Sequence, residues 1–309
     1  MFSKRCSARA LVVLFLFGGA FCAPQRARAC SVCGSDDPLV AVGDSAPNAG
    51  ALRVALAATV VSATARSDDD PRATEDITRA TLVPTLVYSP LSRLNLALSL
   101  PILRNRFRES GGDDDVAVTL TGIGDAEIGL RYFVWQSVDF SARTRQELAL
   151  STGSSLPTGK NSSAVDGERL DEHAQLGRGA FGPHIGVLYA WHRDPWHVSA
   201  DATLRAYTSN HYDYRYGEAA LWNASAQWAA SDRLAFELGL SGRYAVRDSQ
   251  AGETQENTGG LVLQAVPGAS FGITNALWLK ARIELPFVRD LFGEQTLGPT
   301  YMLSLQWAL

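Results

Sequence analysis

The sequence predicts an all-β protein, a twelve-stranded antiparallel transmembrane up-and-down β-barrel. Three observations carry that prediction. Segments of about ten residues, the length a tilted strand needs to cross a bilayer, alternate large apolar with small or polar side chains through most of the 309-residue chain. The connections between these segments are alternately short and long. The N-terminus reads as an export signal, and no later segment is apolar enough for a transmembrane helix.

Lys4, Arg5 and Arg9 precede an apolar run over residues 10–23, and Ala27-Arg28-Ala29 follows it. A basic start, a short apolar centre and an A-x-A site describe a secretory signal peptide over residues 1–29, cut before Cys30. The run is too short to span a membrane comfortably, and the site lacks the Leu of a lipoprotein signal. Two of the four cysteines, Cys6 and Cys22, would leave with it. Residues 30–50 then form a periplasmic leader carrying Cys30-Ser31-Val32-Cys33.

The barrel occupies residues 51–309. Period-two segments begin near Leu52 and continue over residues 77–88, 93–102, 125–135, 138–150, 184–191, 196–207, 217–228, 233–244, 260–273 and 276–287. The last runs over residues 299–309, "PTYMLSLQWAL". Such alternation marks strands with one face in an apolar phase. Short turns are expected at residues 89–92, 136–137, 192–195, 229–232 and 274–275. Longer loops are expected at 66–76, 104–121, 152–183, 209–215, 245–259 and 288–298. Sorted loop lengths are the habit of outer-membrane barrels. With the N-terminus in the periplasm, Trp135, Trp191, Trp196, Trp228, Trp278 and Trp307 fall at periplasmic strand ends. Tyr207, Tyr244, Tyr301 and Phe287 fall at the opposite ends. Indole and phenol rings favour the headgroup layer. The final strand therefore faces lipid and closes against the first.

If the apolar phase meets lipid, the other phase lines a lumen. That assigns Glu127, Arg131, Asp139, Arg143, Arg145, Glu147, Asp201, Arg205, Glu237, Arg243, Lys280, Arg282 and Glu284 to the interior. Charges at that depth survive in water or in pairs. The set is somewhat basic, which suits an anion-attracting channel or, equally, a salt-bridged plug. The loop over residues 152–183 either folds inward or covers the rim.

Other motifs carry less. Cys30 and Cys33 suit a local disulfide, a metal such as copper or zinc with further ligands from elsewhere, or redox chemistry. No His follows for haem attachment. Asp68-Asp69-Asp70 and Asp113-Asp114-Asp115 make the long loops acidic. His211 with Tyr212, Tyr214 and Tyr216 reads as a solvated aromatic loop tip, with ligand capture as the alternative. Residues 156–160 contain Gly-Lys without Walker spacing and read as a turn. His197-Val198-Ser199 matches the His-x-Ser pair of the outer-membrane phospholipase, but it falls at the periplasmic end in the luminal phase. No enzymatic chemistry and no cofactor are expected.

Four phrases resemble one family of outer-membrane barrels. They are "SPLSRLNLALSLPI" (89–102), "GIGDAEIGLRYFVW" (122–135), "LALSTGSSLPTGK" (148–160) and "ELPFVRDLFGEQTLGPTYMLSL" (284–305). They look like the family named after the meta-pathway of phenol degradation, often described as transporters. The likeness covers residues 51–309. It implies a porin-like barrel passing small aromatic or other hydrophobic compounds. The apolar C-terminus also resembles the insertion signal read by the barrel-assembly machinery, although Leu309 stands where Phe or Trp is usual.

The expected location is a bacterial outer membrane, and the expected activity is passive passage of small-molecule solutes. Expected partners are membrane lipid and lipopolysaccharide, the barrel-assembly machinery and the solute itself. Nothing in the charge, −4 overall, suggests nucleic acid. The alternatives are a closed structural or adhesion barrel presenting acidic loops, and a barrel coupled to metal or redox partners through Cys30 and Cys33.

Overall fold

A computed structural model describes residues 46–66, 74–110, 116–165 and 167–309. The expected signal peptide, Cys30, Cys33 and both acidic triplets lie outside the described residues. The strands are β1 (Ala51–Arg66), β2 (Thr74–Leu91), β3 (Leu94–Ser99), β4 (Ile102–Ser110), β5 (Val116–Ile123), β6 (Glu127–Asp139) and β7 (Thr144–Ser155). They continue with β8 (Ala164–Val165), β9 (Glu168–Arg169), β10 (Gly182–Arg193), β11 (Trp196–Arg205), β12 (Tyr214–Arg215) and β13 (Ala219–Ser231). The rest are β14 (Leu234–Ala245), β15 (Ser249–Gln250), β16 (Glu253–Thr254), β17 (Gly260–Gly272), β18 (Leu277–Leu291) and β19 (Gln295–Ala308).

Fourteen of these form one antiparallel sheet, and β1 pairs with both β2 and β19, so the sheet closes on itself. β3 and β4 lie end to end against β2, and β5 and β6 likewise continue one another, which gives twelve staves. Closure removes the edges that no water would satisfy in a bilayer. Leu309 N–H donates to Leu52 C=O at 2.8 Å, so the last residue is held against the first strand.

Two neighbouring staves break at the same height, and the sequence explains both breaks. Pro101 separates β3 from β4 and has no N–H to give the ladder. Gly124, Asp125 and Ala126 separate β5 from β6. Gly124 N–H donates to Pro101 C=O at 2.8 Å, which holds the two breaks together. Beyond them β5 pairs with β4, whereas the β7 ladder ends with Ser155 opposite Glu127. Among the described residues, no strand pairs with the second edge of β5.

The lipid-facing phase is as the alternation predicts. Leu238, Leu240, Tyr244, Leu285, Phe287, Tyr301, Leu303 and Trp307 all point out and are exposed. Trp135, Trp196 and Trp228 are exposed near the ends joined by short turns.

Several expectations need correction. The loop expected over residues 104–121 is mostly the hairpin arms β4 and β5. Arg104, Arg106 and Arg108 make the segment read as polar, yet Leu103, Asn105 and Phe107 alternate with them and point inward. The loop expected over residues 288–298 is likewise largely strand, with β18 reaching Leu291 and β19 starting at Gln295. Arg143 is not luminal. It occupies the exposed turn between β6 and β7 with φ of 50°. Asp139 is not luminal either. Its carboxylate caps that turn, accepting from Ser141 N–H at 2.8 Å and Ala142 N–H at 3.0 Å. Tyr207 follows β11 and turns into the interior, where it is buried, rather than toward lipid.

Replacing Leu240 by Arg on the lipid face should cost about 2–4 kcal/mol, because a charge near the bilayer midplane is expensive, whereas Thr121→Arg beyond the apolar band should cost about 0–1 kcal/mol. Denaturant titration of the protein folded into liposomes checks the difference.

Candidate functional site

The barrel interior is crossed by chain as well as lined by it. After β7 the described residues 156–165 and 167–181 turn inward instead of covering the rim. Leu156 N–H donates to Ala126 C=O at 2.8 Å, and Ala126 N–H donates to the Thr158 hydroxyl at 2.7 Å. The buried Asp125 carboxylate accepts from Gly159 N–H at 2.9 Å and Arg178 N–H at 2.7 Å. The break between β5 and β6 thus finds its hydrogen-bond partners in the inward segment. Gly159 makes the crossing sterically possible, because a Cβ there would lie 2.7 Å from Gly177 Cα and 2.9 Å from the Gly124 carbonyl carbon.

Further in, Asn105 donates its side-chain amide to Ala174 C=O at 3.1 Å and Gln175 C=O at 2.9 Å. Arg79 donates to His173 C=O at 2.8 Å. Leu170 and Ala174 pack on Ile77 and Phe107 of the inner wall.

A polar and aromatic cap from three loops lies over the outer end of the lumen. Tyr214 donates its hydroxyl to Asp248 at 2.6 Å, and His173 Nε2 lies 3.1 Å from the same carboxylate. Gly217 N–H donates to the other Asp248 oxygen at 2.8 Å. Tyr216 donates its hydroxyl to Glu172 at 3.2 Å, and Asn210 donates to Glu172 at 3.1 Å. The Arg178 guanidinium sits 5.2 Å from the ring centre of Tyr207, within cation–π range. The solvated loop tip expected at residues 211–216 is therefore half wrong. Tyr214 and Tyr216 are buried cap residues, while His211 is exposed and Tyr212 lies under Arg169 at 3.7 Å.

Below the cap, the charged side chains on the luminal face group into compensated sets. Arg205 forms a bidentate pair with Glu127, and His184 Nδ1 lies 3.4 Å from that carboxylate. Glu147 accepts from Arg145 at 2.5 Å, with His192 Nε2 at 3.5 Å. Glu237 meets Lys280 at 2.8 Å and Arg282 at 2.6 Å. Asp201 accepts from Asn223 at 3.1 Å. Arg131 and Glu284 are buried on the same face, and Arg243 borders the central cavity. At the end of the barrel where the short turns lie, the residues just before β1 enter the lumen. Ala46 N–H donates to Glu147 at 3.1 Å, Arg145 donates to Ala46 C=O at 3.3 Å, and Ala46 packs on Phe133, Ala149 and Leu188. His197 stacks on His192 at 4.2 Å, and the Ser199 and Ser225 hydroxyls meet at 3.2 Å, all on the luminal side.

A cavity of about 220 Å³ runs beside the inward segment along β1, β2, β18 and β19. It begins under His173, Tyr207, Tyr216 and Asp248 and reaches Ser304 and Gln306 toward the periplasm. Arg79, Arg178, Arg243, Lys280 and Arg282 line it together with Val61, Val83, Leu103, Leu176 and Met302. Asp125, Glu172, His173 and Asp248 had no motif to announce them in the sequence. Their positions follow from the inward fold of the long loops.

Asp125→Ala should leave two N–H groups unpaired at about 1–3 kcal/mol each, free the inward segment and raise single-channel conductance in planar bilayers. The cap should also respond to pH. Burial lowers the His173 pKa, but the Asp248 bond and the charge of Asp171 outweigh it and raise it above the usual imidazole value. Burial raises the Asp248 pKa, but His173, Tyr214 and Gly217 N–H bring it below the usual carboxylate value. The His173 contribution is complete below the unfolded imidazole pKa of about 6.5 and fades as pH rises through the higher folded value; the Asp248 contribution is complete above the unfolded carboxyl pKa of about 4 and fades as pH falls through the lower folded one. Protection of the amides over residues 206–218 against hydrogen exchange, taken relative to the intrinsic exchange rate at each pH, should therefore be greatest between those limits and fall in alkaline buffer.

The folded chain has known likenesses. An outer membrane channel from Pseudomonas putida F1 superposes with a TM-score of 0.64 at 15% identity, covering 90% of this chain and 100% of that one. The translocator domain of the autotransporter NalP from Neisseria meningitidis gives 0.45 at 13% identity, with 84% and 89% covered. The NanC porin gives 0.43 at 10% identity, with 82% and 100% covered. No curated protein sequence matches the chain. At these identities the first likeness supports the fold alone, a closed β-barrel. The model of the family described as putative MetA-pathway of phenol degradation matches residues 35–290, so the chain belongs to that family of outer-membrane barrels.

Proposed function

We propose that this barrel is a channel for small solutes that are largely apolar or aromatic and carry a negative charge. The observation that supports the reading most is the cavity beside the inward segment, which joins the cap to the periplasmic half of the lumen. Its lining places five basic side chains and four carboxylates, Asp125, Glu127, Glu172 and Asp248, among aliphatic and tyrosine surfaces. Aliphatic and tyrosine surfaces suit an aromatic body, and guanidinium or ammonium groups suit a carboxylate or phenolate. Lys280 and Arg282 of β18 both meet Glu237 on the cavity wall, two cations side by side that can address an anionic group. The inward segment and cap then act as the filter a solute must pass, so the channel is narrower than a general porin.

The test is reconstitution into planar bilayers and liposomes. Discrete conductance steps favouring anions, and entry of benzoate faster than of a neutral sugar of similar size, are the expected results. Lys280→Gln with Arg282→Gln should lower anion preference and benzoate entry while leaving the barrel folded. A silent bilayer with no solute entry would overturn the reading and favour a closed structural barrel, in which the luminal ion pairs serve rigidity alone.

A further inference from the structure

We infer that the outer face of β4 is a binding site for the phosphorylated glycolipid headgroup of the outer leaflet, with Arg104, Arg106 and Arg108 as its anion ligands. The inference rests on the outer-membrane placement of the barrel and not on the channel reading.

Exterior positions on three adjacent strands define the site. Leu82 of β2, Ile102 of β4 and Ile123 of β5 share one cross-strand row, and all three are exposed, at 38%, 42% and 51%. That row is the last apolar layer on this side. The next outward-facing row is Ala80, Arg104 and Thr121; the one after is Thr78, Arg106 and Thr119; the outermost is Asp76, Arg108 and Ala117. Each arginine is exposed, and none forms an ion pair with a described residue. Their neighbours Leu103, Asn105 and Phe107 are committed to the interior, so the strand cannot turn the arginines inward without exposing Phe107 and Leu103 to lipid.

Three guanidinium groups at every second position stand above one another along the strand, and the Cα atoms of Arg104 and Arg108 are about 13 Å apart at about 3.3 Å per residue. That length suits a phosphorylated disaccharide better than a single small ion. The threonines beside Arg104 and Arg106 add hydroxyl groups suited to sugar, and Thr78 is already joined to Ser62 at 3.3 Å. Arginine on a lipid face is tolerated where headgroups supply counter-charge and is costly in hydrocarbon. In the outer leaflet of this membrane the anionic headgroup is the bisphosphorylated diglucosamine of lipid A. Asp76, beside Arg108, is the one carboxylate in these rows and weakens the outermost position.

The full-length folded protein in detergent is mixed with lipid A bisphosphate and with dephosphorylated lipid A, and bound lipid is read by native mass spectrometry. Wild type should retain the bisphosphate form at least about tenfold more, the preference expected of three arginines at an anionic surface. The preference should fall as salt is added. Arg104→Ala with Arg106→Ala and Arg108→Ala should abolish it while heat-modifiable migration reports an intact barrel. If that variant does not fold, the corresponding triple lysine variant should fold and keep part of the preference. Equal retention of the two lipids by wild type, persistence of the preference in the folded alanine variant, or its loss on adding millimolar inorganic phosphate would each overturn the inference. Conductance of the alanine variant should match wild type. A change there would bear on the channel reading instead.

Discussion

The structure depends on one constraint: inside hydrocarbon, every backbone N–H and C=O must find a partner in the protein. Pairing of β1 with β19 meets it for the wall as a whole. The breaks at Pro101 and at Gly124, Asp125 and Ala126 place it under strain, because both sit within the barrel wall. The inward segment answers it there. Leu156, Thr158 and Gly159 pair with Ala126, Gly124 and Asp125, so the chain that obstructs the lumen also completes the wall. Obstruction and closure are one piece of construction, which is why the segment cannot simply swing out to the rim.

The same economy governs the charges. Glu127, Glu147 and Glu237 each face the lumen with at least one arginine within bonding distance. Removing any of these carboxylates would leave cations at depth with less compensation, a cost that hydrated space only partly relieves. The cavity lies beside Arg243, Lys280 and Arg282. The proposed permeation and the stability of the barrel therefore draw on the same side chains.

Much of the wall was legible in the sequence because period-two alternation is local. Tyr301, Leu303, Leu305 and Trp307 point out and Ser304 lines the cavity, as the terminal segment foretold. Reading failed where the lipid-side phase was not apolar. Arg104, Arg106 and Arg108 took β4 for a loop because the rule equates outward with greasy, and at headgroup height outward can mean charged. Strand ends failed for a second reason: Arg143 and Asp139 obey the alternation by position, but a turn comes first. The cap was beyond reach. Asp125 with Gly159 and Tyr214 with Asp248 are 34 residues apart in each case, and nothing local distinguishes them from ordinary loop polar groups.

The central claim is that alternate side chains face lipid around a closed wall, with β4 continuing that wall as a strand. Spin labels placed singly along residues 102–108 and 301–307, in protein reconstituted into lipid, test it by their accessibility to oxygen and to a water-soluble nickel reagent. The account predicts a period of two in both stretches. Positions 301, 303, 305 and 307 should be oxygen-accessible. Positions 104, 106 and 108 should be outward with rising nickel access from 104 to 108, and positions 103, 105 and 107 should be shielded from both. Uniform nickel access across 102–108, as a free loop would give, or a reversed phase in either stretch, would contradict it.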